Sequence, residues 1–166
     1  MKRQAEYKLL SRLQAAYFDI VPVEYQTFCT LTATVTESVM RHYGFGASVK
    51  TCQVWYKQNG TNHNFVIGFL GRKPTENKWD GHTICLTDHA IFDAAMFHFQ
   101  REFEIQIPPI SIVNRITVRS HLIASTKLSN GSRVSWLNPP PNANLSIPKV
   151  PSSLVKQLAV KLIAAL

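Results

Sequence analysis

The chain has 166 residues, of which 45% are hydrophobic, and a formal net charge of +8. That length predicts a single domain spanning residues 1–166 with one substantial core. No apolar run approaches the ~18 residues needed to cross a bilayer, and the first residues lack the hydrophobic segment of a secretion signal, so we predict neither a membrane span nor processing. Three scattered cysteines exclude a disulfide framework and favour a reducing, cytoplasmic location.

The first predicted element is a helix over residues 3–17, where apolar side chains recur at helical spacing. These side chains are Ala5, Leu9, Leu10, Leu13, Ala16 and Tyr17. The helix is expected to pack against the core and to do nothing more. Residues 18–23 are expected to be an apolar connection, because Pro22 opposes continuation of the helix.

A second helix is predicted to begin in the segment 24–29 and to run to about Tyr43, with Thr27 as its N-cap and Gly44 after its end. This assignment places Cys29 in the first turn. Unpaired backbone N–H groups and the positive end of the helix dipole favour a thiolate there. An isolated cysteine is also among the most commonly buried residues, so an inert structural role for Cys29 is the alternative.

The middle of the chain predicts an antiparallel sheet. Residues 49–56 read as a strand, Asn59-Gly60 as a hairpin turn, residues 65–70 as the next strand and residues 71–77 as a surface loop. Residues 83–87 alternate at the period of a strand. Asp88-His89 then forms a turn and residues 90–92 a short return strand.

The last third of the chain is predicted in less detail. Residues 94–103 are open between helix and irregular structure, and residues 110–123 predict one further strand. Asn130-Gly131 predicts a tight turn before a strand at 133–137, and the proline-rich run 139–144 an extended, exposed loop. Residues 154–166 form an amphipathic closing helix. Trp55 and Trp136 are both expected in the core.

The predicted hairpin around residues 88 and 89 offers a histidine and a carboxylate. His82 opens its first strand and Asp93 closes its second. Antiparallel pairing would place them nearly opposite, with β-carbons ~4.5–5.5 Å apart. An aspartate that accepts a hydrogen bond from one ring nitrogen fixes the histidine tautomer and leaves the other nitrogen to act as a base.

These residues predict a catalytic triad in which Cys29 is the nucleophile, His82 the base and acid, and Asp93 the group that orients the histidine. The oxyanion would be bound by the Cys29 backbone N–H and by a second donor. Candidates for that donor are Gln26 and Tyr25, just upstream. Trp79 is a candidate to shield the site, with ordinary packing as its alternative.

Other reactive residues have weaker patterns. His89 in the turn and His63 in a loop are expected at the surface, and Asp88, the other possible partner of His82, is expected to be solvated. Cys52 and Cys85 lie in predicted strands and are expected in the core. No HExxH motif or paired cysteine spacing supports a metal site, and no glycine-rich phosphate loop is present, so no metal or cofactor is predicted.

Part of the chain, residues 24–95, resembles the transglutaminase-like core of the papain-like cysteine protease superfamily. The residues that carry the resemblance are Cys29 with its helix, the run 41–47 into a strand, the Gly81-His82 step and the Phe92-Asp93-Ala94 step. The sequence departs from such cores at Ile84, where an aromatic residue commonly follows the histidine by two positions. The resemblance implies an α+β fold with the nucleophile helix packed on an antiparallel sheet.

Relatives with this core include protein cross-linkers, peptidases, amidases, arylamine acetyltransferases and inactive members. The resemblance therefore implies an acyl-transfer enzyme, a hydrolase or transferase acting on an amide or thioester of a peptide, protein or small molecule. The net positive charge allows an anionic partner. The alternative is a catalytically inactive basic module that binds nucleic acid or an acidic protein.

Overall fold

The computed structural model describes residues 1–71, 79–97, 100, 103–118 and 121–166. Three helices are described: α1 (Lys2–Ile20), α2 (Cys29–His42) and α3 (Ser152–Ala165). The strands are β1 (Ala47–Lys57), β2 (Asn64–Ile67), β3 (His82–Thr87), β4 (Ala90–Asp93), β5 (Ser111–Asn114), β6 (Leu122–Lys127) and β7 (Arg133–Leu137). The predicted loop at 71–77 falls almost wholly outside the described residues, as does part of the ambiguous stretch 94–103.

The strands form one antiparallel sheet in the order β5-β4-β3-β1-β7-β6, with β2 paired to β1. The first half of β1 pairs with β3, and its second half pairs with both β7 and β2. A bridge between Arg115 and Ala124 brings the two ends of the sheet together, which makes it nearly barrel-shaped. The fold is therefore α+β, as predicted.

Helix α1 confirms the predicted first helix but runs three residues further. Its C-cap is Val21, whose backbone N–H donates to the Tyr17 carbonyl. The next residue is Pro22, which cannot continue the helix. Helix α2 starts later than expected. A 3₁₀ turn at Val23–Tyr25 precedes it, and its N-cap is Phe28 rather than Thr27, with no side-chain cap in the described structure. Cys29 is consequently the first residue of α2.

The single strand predicted across residues 110–123 is wrong, because the structure divides this stretch into β5 and β6. The Ile116 N–H donates to the Ile123 carbonyl at 2.7 Å, so the chain reverses within the stretch. Val118 lies near this reversal and is 75% exposed. Apolar residues on both sides of a turn gave the appearance of one alternating pattern.

Two apolar clusters form the core. The first lies between the helices and the sheet and includes Leu13, Tyr17, Leu31, Val35, Phe92 and Leu162. The second fills the inside of the sheet and includes Cys52, Val54, Tyr56, Ile84, Val134 and Trp136. Trp136 is buried as predicted, whereas Trp55 is 42% exposed and the core assignment of Trp55 is wrong. Among the described residues, no helix is long and apolar enough to cross a membrane.

Helix α1 has a second function in the fold that its pattern did not predict. Glu6 is fully buried, and its carboxylate accepts hydrogen bonds from the Thr87 hydroxyl and from the His89 N–H at 3.0 Å. The Glu6 carboxylate also contacts His89 Nδ1 at 2.6 Å. A buried carboxylate is stable only where donors surround it, so Glu6 joins α1 to the turn between β3 and β4.

We expect Glu6→Gln to reduce the free energy of unfolding by about 1.5–3 kcal/mol, the usual contribution of hydrogen bonds to a charged group. The amide keeps the shape of the side chain but carries no charge, so the Thr87 hydroxyl and the His89 N–H lose their charged acceptor. Urea unfolding measures the loss. Glu24→Gln, at an exposed position, is the control, and equal stability of the two variants would contradict this assignment.

Candidate active site

His82 and Asp93 meet on neighbouring strands. His82 Nε2 donates to Asp93 Oδ2 at 2.8 Å, and both side chains are almost completely buried. The register pairs Cys85 with Phe92, so its continuation places Asp93 beside Ile84. Asp93 is therefore diagonal to His82, whereas the predicted hairpin was expected to place the two residues nearly opposite each other. Long side chains bridge such diagonal positions in a sheet.

Asp93 has two further donors that fix its orientation. Trp136 Nε1 on β7 donates to Asp93 Oδ2 at 2.8 Å, and the Ala95 N–H donates to Oδ1 at 3.1 Å. The sequence pattern assigned Trp136 only to the core. A signal was present, since a buried indole N–H needs an acceptor and a buried carboxylate needs donors. The sequence does not indicate which carboxylate Trp136 reaches.

Cys29 lies at the start of α2, where its side chain is close enough to His82 for the two groups to shift each other's pKa. Burial opposes ionisation of the thiol and raises its pKa. The proximity and positive charge of His82 outweigh burial and lower the pKa of Cys29 below 9.0. The residue as a whole is half-buried.

His82 is the group that makes this ionisation possible. Burial alone would lower its pKa, but the charge of Asp93 and hydrogen bonds to Asp93 and Cys29 raise the pKa of His82 to about 10. Because Nε2 is bound to Asp93, Nδ1 is the ring nitrogen left for the Cys29 sulfur. A lowered thiol pKa beside a raised imidazole pKa favours a thiolate–imidazolium pair near neutral pH.

Two of the three predicted oxyanion donors are engaged in the resting structure. The Cys29 N–H donates to the Thr27 carbonyl at 3.1 Å, and Gln26 Nε2 donates to the Val21 carbonyl at 3.0 Å. Gln26 would therefore need its second amide hydrogen, or a local rearrangement, to bind an oxyanion. Tyr25 packs at the edge of the first apolar cluster. The oxyanion roles of Gln26 and Tyr25 remain predictions.

Trp79 covers the backbone that leads into β3. A Cβ added to Gly81 would lie 2.3 Å from the Trp79 ring, so the indole sits directly against this glycine. Phe69 contacts the indole edge-on, with ring centroids 5.8 Å apart. Only glycine allows so close an approach, and the half-buried Trp79 therefore lies beside the peptide that leads to His82. This position is compatible with shielding of the site.

The competing residues occupy other surroundings. Cys52 and Cys85 are fully buried as expected, and burial raises the pKa of both thiols. Asp88 is partly exposed and paired with Lys2 at 3.2 Å, as its turn position predicts, while His89 binds Glu6. In the part of the chain that the structure describes, no group of three or more His, Cys, Asp or Glu side chains is arranged to hold a metal ion.

Comparisons with known proteins add little to this geometry. No family model and no curated protein match the chain. A solved crystal structure, described only as a genomics structure, resembles the chain with a TM-score of 0.43 and 13% sequence identity, covering 97% of this chain and 78% of that chain. A likeness at this level carries no argument, so the site depends on its own contacts.

Proposed function

We propose that the protein is a cysteine-dependent acyl-transfer enzyme with a papain-like, transglutaminase-like core, in which Cys29, His82 and Asp93 form the triad. The observation that supports this most strongly is the hydrogen bond from His82 to Asp93 at 2.8 Å, with the Cys29 thiol beside the same imidazole. A buried histidine oriented by a carboxylate and lying beside a thiol is the arrangement that activates a sulfur nucleophile.

The surrounding fold is compatible with this assignment. The nucleophile is the first residue of a helix that packs on an antiparallel sheet, while the histidine and aspartate come from adjacent strands of that sheet. This is the arrangement implied by the resemblance of residues 24–95. Without a side-chain cap on α2, the positive end of the helix dipole acts on Cys29.

The proposed reaction has two steps. The Cys29 thiolate attacks the carbonyl carbon of an amide, ester or thioester, and the bond from that carbon to the leaving group breaks as His82 gives its proton to the leaving group. A thioester to Cys29 remains. Water or an acceptor amine then attacks the thioester, neutral His82 takes its proton, and the sulfur is released as thiolate. Asp93 holds the imidazole and stabilises its charge throughout.

An active ester tests the first step. With p-nitrophenyl acetate we expect a burst of about one p-nitrophenolate per chain and an acetyl group on the peptide that contains Cys29. Cys52 and Cys85 serve as internal controls, because both are buried and should remain unmodified in the folded protein. Cys29→Ala should abolish the burst. A burst that survives in Cys29→Ala, or acetylation spread over lysines, would contradict the proposal and favour a module without turnover.

A further inference from the structure

The outer face of the sheet carries a row of three cations. Lys57 on β1 lies directly opposite Arg133 on β7, and Arg133 lies directly opposite Lys127 on β6. Residues directly opposite one another share a face, and all three are exposed. Among the described residues none of the three forms an ion pair. Adjacent like charges destabilise a sheet, so this row indicates an anion that neutralises it.

An exposed tryptophan lies beside this row on the same face. Trp55 precedes Lys57 by two residues, which places them about 7 Å apart along the strand. Trp55 Nε1 donates to Gln53 Oε1 at 2.7 Å, and Gln53 Nε2 donates to the Gly68 carbonyl at 3.0 Å. The polar edge of the indole is thus satisfied and fixed, and its surface, 42% exposed, remains available for stacking.

The cations also line a cavity of about 460 Å³ at the end of the sheet. Its other described lining residues come from the two turns and are Gln58, Asn59, Gly60, Thr61, Asn62 and Gly131. No described lining residue is acidic. A cavity of this volume lies in the range that holds small ligands, and amide donors with three cations provide the chemistry that binds a phosphate.

We propose that this surface, formed by Trp55, Lys57, Lys127 and Arg133 and called here the cationic face, binds a nucleotide unit of single-stranded nucleic acid. The base stacks on Trp55, and its phosphate lies among the three cations. A fixed aromatic ring next to a positively charged groove is the combination by which proteins hold single strands without reading their sequence. The inside of the sheet, where Asp93 meets Trp136, lies on the opposite side, so the site is independent of Cys29 chemistry.

Fluorescence anisotropy with a labelled oligothymidylate tests the stacking contact. Trp55→Ala should weaken binding by about 5- to 150-fold, the usual effect of removing one base–aromatic stack. Trp55→Phe keeps a ring and should recover part of that loss. Competition by thymidine monophosphate tells whether the ligand is a nucleic-acid strand or a free nucleotide. Weak competition indicates a strand, and competition equal to that of the unlabelled oligomer indicates a free nucleotide.

The charge contribution needs a matched control. Lys57→Gln, Lys127→Gln and Arg133→Gln combined should make the dependence of binding on salt shallower by about 0.7 in log–log slope, because the phosphate among them is no longer neutralised. The control triple variant carries Lys8→Gln, Lys156→Gln and Lys161→Gln, which are exposed on helices and remove the same charge. It should bind nearly as the unmodified chain does.

Two results would overturn the proposal. One is equal weakening by the two triple variants, which would show attraction by net charge alone. The other is binding of polyglutamate as tight as that of the oligonucleotide and insensitive to Trp55→Ala. In every variant, alkylation of Cys29 by iodoacetamide should be unchanged. A failure of the nucleic-acid proposal can therefore be distinguished from a failure of the proposed acyl-transfer function.

Discussion

Replacing His82 with alanine is expected to slow alkylation of Cys29 by iodoacetamide at about pH 6 by at least tenfold. The hydrogen bond and charge of His82 are what keep the pKa of Cys29 below 9.0 against the effect of burial. Without them, burial is the dominant influence and the pKa rises. The thiolate, not the thiol, reacts with iodoacetamide, so the rate follows the thiolate fraction.

The size of this effect follows from two opposing changes. An ordinary thiol with a pKa near 8.5 is ionised to only roughly 0.3% at pH 6, so little thiolate is left in the variant. A thiolate of higher pKa is intrinsically more nucleophilic, which offsets part of that fall. The net loss should shrink as the pH approaches 9, because the variant then ionises without help from a histidine.

Two controls separate chemistry from packing. His82→Gln keeps most of the side-chain volume but cannot become an imidazolium, so it should lose reactivity as His82→Ala does. His63→Ala, at an exposed loop position, should leave the rate unchanged. If both His82 variants react with iodoacetamide as fast as the unmodified chain at pH 6, the thiolate–imidazolium pair is not present and the proposed mechanism fails.

Local patterns predicted the elements that carry the triad, because each of them is set by neighbouring residues. Alternation over 83–87, the Asp88-His89 turn and the short return strand gave the hairpin that holds His82 and Asp93. Residues 24–43 gave a helix with Cys29 near its start. The register is the one that a two-residue turn at 88 and 89 dictates, with Cys85 opposite Phe92, and it places Asp93 opposite Ile84, two residues from His82.

Two contacts that the sequence patterns missed depend on partners that are distant in the chain. Trp136 is 43 residues from Asp93 in the chain, and Glu6 is 83 residues from His89. No local period encodes such contacts. The position of Trp55 was also beyond local patterns. Alternation in β1 defines two faces of the strand but does not tell which face is buried. Packing of Val54 and Tyr56 into the sheet interior decides that, and it leaves Trp55 exposed.

Asp93→Asn is expected to be the most destabilising single change in the site, with a loss of about 3–5 kcal/mol in the free energy of unfolding. Asparagine has nearly the same shape, so no cavity accompanies the change. Its amide NH₂ must face either the Ala95 N–H or the N–H groups of His82 and Trp136, which now bind opposite oxygens of the carboxylate. One buried donor is then left facing another donor.

The loss should depend on pH in a defined direction. Asp93 contributes to raising the pKa of folded His82 to about 10, above its usual value of 6.5. A raised pKa in the folded state stabilises the fold fully below pH 6.5, and this stabilisation is lost as the pH rises toward 10. The difference between the unmodified chain and Asp93→Asn should therefore be largest at about pH 6 and smaller at about pH 9.5.

Urea unfolding at several pH values, combined with iodoacetamide labelling, measures both consequences of this change. Asp88→Asn is the matched control, because Asp88 is a partly exposed turn carboxylate whose surface pair with Lys2 contributes at most about 1 kcal/mol. In Asp93→Asn, the His82 pKa should fall and Cys29 should lose reactivity at pH 6 while the chain remains folded in dilute urea. Unchanged stability together with unchanged labelling would mean that the carboxylate neither holds His82 nor supports its charge, and Asp93 would then have no place in the triad.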